Sequence, residues 1–161
     1  MEKFSLAGSV YNLEPIPYQR KLVFLAGPTP RDGSTSWRVS AEDSFREESS
    51  LLDETYDVSL IIPEPRDGVF HGDSDAQWEH LAINACDVLL FWVPRDLKDL
   101  PGFTTNVEFG YFLRDKEKVV YGRPFNTPNV GYLDWLFKKT RRPEVPFRTL
   151  HSCVLNAIHL L

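Results

Sequence analysis

The chain has 161 residues, 42% hydrophobic and 25% charged, a profile that fits one globular domain with its own core. A net charge of −5 without a basic tract excludes a general binder of nucleic-acid polymers, but leaves room for a small ligand held by a local cluster. The longest apolar run, Val88–Val93, is far short of the roughly 20 residues of a membrane helix, so no membrane partner is expected.

Met1-Glu2-Lys3-Phe4 lacks the order of a signal peptide. Cys86 and Cys153 are a poor basis for a disulfide framework, and a reduced, cytoplasmic protein is expected. The four histidines are scattered and no cluster has zinc spacing, so neither metal nor cofactor is expected.

Residues 1–20 read as an irregular arm in which Pro15 and Pro17 exclude a helix, ahead of a single α/β domain over 21–161. Lys21–Ala26 is a continuous apolar run ending at Gly27-Pro28, the mark of a strand buried on both faces. Ser36 is a credible N-cap for a helix starting at Trp37, with Trp37, Ala41, Phe45 and Leu52 roughly on one face. A second strand is expected over Val58–Ile62, and a helix over about 75–86 that buries Trp78, Leu81, Ala82 and Ala85. Val88–Val93 is the third strand, Thr105 to about Leu113 a helix, and Lys118–Tyr121 a fourth strand. Helical stretches around Tyr132–Thr140 and Leu150–Leu161 close the chain. The alternation predicts a doubly wound, mostly parallel sheet flanked by helices. Ligands of such sheets sit outside the carboxyl ends of the strands. The loops after Ala26, Ile62 and Val93 are therefore the ones to inspect.

After the first strand, Gly27, Pro28, Arg31, Trp37 and Arg38 are either an ordinary turn with its cap or a site where glycine and two arginines receive an anion such as a 5′-phosphate. In the second region Ser74 and Gln77 have capping-box spacing, and Glu79 stands beside Trp78. Glu79 is either an exposed helix residue or a desolvated carboxyl with a raised pKa, able to give up a proton near neutrality. In the third, Thr105 and Glu108 also have capping-box spacing, which competes with a nucleophilic role for Glu108. Gly110 costs a helix about 1 kcal/mol relative to alanine and needs a reason, such as close approach of a backbone or ligand.

Phe24-Leu25-Ala26-Gly27-Pro28, Trp78-Glu79, Ala85-Cys86-Asp87 and Thr104-Thr105-Asn106-Val107-Glu108-Phe109-Gly110 together resemble the nucleoside 2-deoxyribosyltransferase family, most closely its transferase-like branch. The resemblance covers roughly residues 21–125 and implies a flavodoxin-like fold and cleavage of the N-glycosidic bond of 2′-deoxynucleosides. By position it implies Glu108 as the nucleophile and Glu79, with Asp75 as substitute, as the acid that handles the base proton. It also implies substrate contacts from Gly27 and Pro28, and Thr104, Thr105 and Asn106, in the motif around the nucleophile, are expected to bind substrate as well. The family's usual tyrosine near the first strand end falls on Phe24 here, so another group must position the nucleophile. A homo-oligomer is implied too, with the apolar tail Val154–Leu161 either a contact surface or packed internally.

The chemistry suits these residues. A carboxylate below the sugar can trap C1′ as an ester while an acid above protonates the leaving base. Phe24, Trp37, Phe70, Trp78 and Phe103 could stack on a base, with Trp37 and Phe103 the better placed. Transfer of deoxyribose between bases is the leading expectation. Hydrolysis of deoxynucleoside 5′-monophosphates, with Arg31 and Arg38 on the phosphate, is the alternative. A nucleotide-binding module without turnover is a third.

Overall fold

A computed structural model of the chain describes residues 3–49, 56–141 and 145–161. Among the described residues five strands form one all-parallel sheet: β1 (Phe4–Tyr11), β2 (Lys21–Ala26), β3 (Tyr56–Ile62), β4 (Val88–Trp92) and β5 (Val119–Gly122), in the order β1-β3-β2-β4-β5. Five helices of the described residues cover it: α1 (Trp37–Glu48), α2 (Asp73–Ala85), α3 (Phe103–Asp115), α4 (Gly131–Thr140) and α5 (Leu150–Leu160). The fold is α/β of the flavodoxin-like type, as expected.

Alternate residues of β2 and β4 enter different layers, which is why both strands read as unbroken apolar runs. Leu22, Phe24, Leu89 and Phe91 pack with Trp78, Phe109 and Phe137 of α2, α3 and α4. Val23, Leu25, Leu90 and Trp92 pack with Ala41 and Phe45 of α1 and Val154 and Ile158 of α5. β2 has β3 on one side and β4 on the other, so the connections leaving its end diverge and open a crevice there.

Residues 4–11, expected as irregular, are instead edge strand β1, paired from Phe4↔Tyr56 to Tyr11↔Ile62. The register slips between Leu6 and Gly8, and Gly8 has φ 115°, a conformation that breaks the local alternation. The partner strand is also remote in sequence, so nothing nearby announces the pairing. The linker over 12–20 is non-helical, as its prolines require; Trp78 Nε1 donates to the Glu14 carbonyl at 2.9 Å, pinning it to α2.

Leu52 lies outside the described residues, while Ala41 and Phe45 of α1 are buried as expected. α2 and α3 each begin two residues before their expected starts, and Leu81 is 59% exposed rather than buried. The apolar tail packs internally: Cys153, Val154, Ala157 and Ile158 are buried against the sheet and α1. Among the described residues no helix is long and apolar enough to cross a membrane.

Candidate active site

A cavity of about 720 Å³ lies outside the carboxyl ends of β2, β3 and β4. That is a usual size for a small-molecule site. Gly27, Pro28 and Arg31 line it after β2, Glu64 and Phe70 after β3, and Gly102, Phe103 and Thr104 after β4. Arg38 of α1, Asp75 and Glu79 of α2, and Glu108 of α3 complete the wall.

Glu108 is not a capping residue. The N-cap of α3 is Gly102, in the left-handed region at φ 61° and ψ 47°, so Thr105 is already inside the helix and buried. With the helix starting earlier, Glu108 lies beyond its first turn, where it lines the cavity. A Cβ on Gly102 would lie 2.7 Å from Pro28 Cγ, whereas one on Gly110 would meet open space. The close approach that Gly110 was expected to serve is therefore made by Gly102.

The N-cap of α2 is likewise a glycine, Gly72, so Ser74 and Gln77 do not form the expected capping box. Asp75 has both oxygens engaged: Oδ1 accepts from Asn12 Nδ2 at 2.8 Å and Oδ2 from the His71 backbone N–H. It is a buried anchor for the start of α2 and also lines the cavity.

One turn on from Asp75, Glu79 is half-buried, not the exposed helix residue of its alternative reading. Its carboxyl is hydrogen-bonded to that of Glu108. Burial pushes Glu79 up to about 7, with the Asp75 charge adding to the rise and Arg38 opposing it. Burial pushes Glu108 up to about 8, with Glu79 adding to the rise and Arg38 again opposing it. Two carboxyls in contact titrate as a unit, so near neutrality the pair holds one proton between them.

Arg38 does not wait for a phosphate. It is 1% exposed, and Nε donates to the Leu25 carbonyl at 2.8 Å and Nη2 to the Gly27 carbonyl at 2.7 Å. Nη1 donates to Thr29 Oγ1 at 3.2 Å and forms an ion pair with Glu64. Ser36, the expected N-cap of α1, accepts from the Arg38 backbone N–H and donates to Glu64 Oε1 at 2.6 Å. Arg31 lines the cavity and is exposed.

Three other expected contacts stand back from the cavity. Trp37 lies behind Gly27, its Nε1 donating to the Pro28 carbonyl at 3.0 Å. Thr105 is buried inside α3, and Asn106 Oδ1 accepts from Arg95 Nη2. Of the aromatics, Phe24 and Trp78 belong to the core, while Phe70 and Phe103 line the cavity and are 60% and 67% exposed. Sequence reasoning passed over Glu64, although Pro63-Glu64-Pro65 directly follows a buried strand, a place where a carboxylate has few structural uses.

A second cavity of about 410 Å³ reaches the same pair between α2 and α3. It shares Ala76, Glu79, Thr104 and Glu108 with the first and is otherwise lined by His80, Ile83, Val107, Tyr111 and Phe112. Among the described residues no group of three His, Cys, Asp or Glu side chains is placed to hold a metal ion.

A family model described as nucleoside 2-deoxyribosyltransferase like matches residues 20–124, the stretch from β2 through β5 that carries every cavity residue named above. No curated protein matches the chain.

Proposed function

The chain belongs to the nucleoside 2-deoxyribosyltransferase-like family, and on that footing we propose that it cleaves the N-glycosidic bond of 2′-deoxynucleosides and passes the sugar to another base. The observation that carries this reading is the hydrogen-bonded Glu79–Glu108 pair at the junction of two cavities. Together the two carboxyls hold one proton and one negative charge, which is what a two-step glycosyl transfer needs.

Glu108 is the nucleophile. Its oxygen forms a bond to C1′ as the bond from C1′ to the base nitrogen breaks, and Glu79 gives its proton to that nitrogen. An entering base then attacks C1′ on the vacated side, releases Glu108 as a carboxylate and returns a proton to Glu79. Two displacements retain the configuration at C1′. Retaining carboxyl pairs stand about 5–5.5 Å apart, so the two side chains must part when the sugar enters. The proton shared by the pair must sit on Glu79 when the base departs. Phe70 and Phe103 offer rings to the flat base.

Cavity charge supports a neutral nucleoside over a 5′-monophosphate. Glu64, Asp75, Glu79 and Glu108 face only Arg31 and Arg38, and Arg38 is already bound to Glu64. Hydrolysis is a second reading, favoured by the cavity between α2 and α3, which gives the pair a second open side. The exposed side chains Leu81, Val107 and Tyr111 beside that opening support assembly into a homo-oligomer.

Incubation with a deoxynucleoside, with and without a second free base, tests the reading by chromatography. A new deoxynucleoside supports transfer, and free deoxyribose alone supports hydrolysis. No base release from nucleoside or monophosphate refutes both.

A further inference from the structure

Arg38 belongs to α1, which packs on the opposite face of the sheet from α2 and α3, yet its guanidinium lines the same cavity as Glu79 and Glu108. It is the largest fully buried side chain among the described residues. Burying a cation is costly, and the backbone carbonyls it binds could be satisfied by neutral donors. Its charge is paired with Glu64, which lines the same cavity, so the ion pair as a whole belongs to the wall facing the two carboxyls.

We propose that Arg38 is a positioning residue of this site, fixing the cavity wall at the end of β2 and supplying the positive charge that keeps one negative charge on the Glu79–Glu108 pair. This rests on the role given to that pair above. Tethering is done by the donors to Leu25, Gly27 and Thr29, which hold the segment leaving β2, while the pair with Glu64 joins the ends of β2 and β3.

The charge acts on the two carboxyls. Their burial, their mutual repulsion and Asp75 all favour two protons on the pair, and a doubly protonated pair has no nucleophile. Arg38 is the group that favours the ionised form of both. The other titratable or charged side chains lining the two cavities are Arg31 after β2, Glu64 after β3, Asp75 and His80 on α2, and Tyr111 on α3. Arg31, the other cation among them, is exposed, where solvent screens its charge.

The test compares wild type with Arg38→Gln, Arg38→Lys and Glu64→Gln. Base release is followed against pH, and the glutamate carboxyls are titrated in parallel by carbon NMR on ¹³C-labelled protein. In R38Q the acid limb of the rate profile and the first ionisation of the pair both move up by about one pH unit or more. R38K restores most of that shift, and E64Q, which removes the anion beside Arg38, moves the ionisation down. A purely structural Arg38 would scale the rate equally at every pH and leave the ionisation unmoved in R38Q relative to wild type, or in the double variant R38Q/E64Q relative to E64Q if R38Q does not fold; either result overturns the proposal. If wild type releases no base, the proposed reaction fails, while the NMR titration still decides the role of Arg38.

Discussion

Glu79 of α2 and Glu108 of α3 meet carboxyl to carboxyl, and the hydrogen bond between them sits where two cavities join. Replacing either carboxyl by its amide keeps the shape and removes the chemistry. Glu108→Gln lowers base exchange by about 10³-fold or more, because no covalent intermediate can form. Glu79→Gln lowers it by about 10²-fold for natural bases and much less for a base that departs without a proton. Steady-state kinetics with a natural and an activated nucleoside check both, with circular dichroism confirming the fold.

The same pair sets a pH dependence of stability. Both carboxyls have folded-state pKa values above the ordinary 4.5, so the folded protein binds more protons than the unfolded chain between about 4.5 and about 8. Their stabilising contribution is complete below pH 4.5 and is lost as pH rises through 7 to 8. Glu108→Gln, which mimics the protonated form, therefore raises Tm relative to wild type at pH 8 and leaves it nearly unchanged at pH 5. Thermal melts at the two pH values read the difference.

The wall beside Arg38 has no room for a side chain at its first residue. A Cβ on Gly27 would lie 2.1 Å from the Trp92 carbonyl oxygen and 2.8 Å from Trp37 Cζ2. Gly27→Ala costs about 3 kcal/mol of stability, measured by denaturant titration, because backbone must give way.

Much of this was legible in the chain itself. The runs at β2 and β4 announced a parallel sheet, and the order Gly27-Pro28, Trp78-Glu79, Thr104 to Gly110 picked out both carboxyls of the pair. Local spacing misled wherever a glycine capped a helix. Gly72 and Gly102 start α2 and α3 earlier than Ser74 or Thr105 would, so neither expected capping box forms. Arg38 looked like an anion receptor because its partners, Glu64 and the carbonyls ending β2, converge on it only in three dimensions. Strand β1 was hidden for a like reason: its pairing with β3 is remote, and Gly8 interrupts its pattern.

Phe103 at the cavity mouth is placed to stack on a base without touching the reacting atoms. Phe103→Ala raises KM about tenfold with kcat little changed, the cost of one aromatic contact. An equal loss in kcat would move the ring from binding to chemistry.

The central claim is that Glu108 becomes bonded to the sugar. Intact-mass spectrometry after rapid mixing with a deoxynucleoside, without an acceptor base, reads this directly. The predicted result is a mass gain of one deoxyribosyl unit that maps to the peptide containing Glu108, is absent in Glu108→Gln and disappears when a free base is added. Base release by wild type with no adduct at any time, or an adduct persisting in Glu108→Gln, would contradict it.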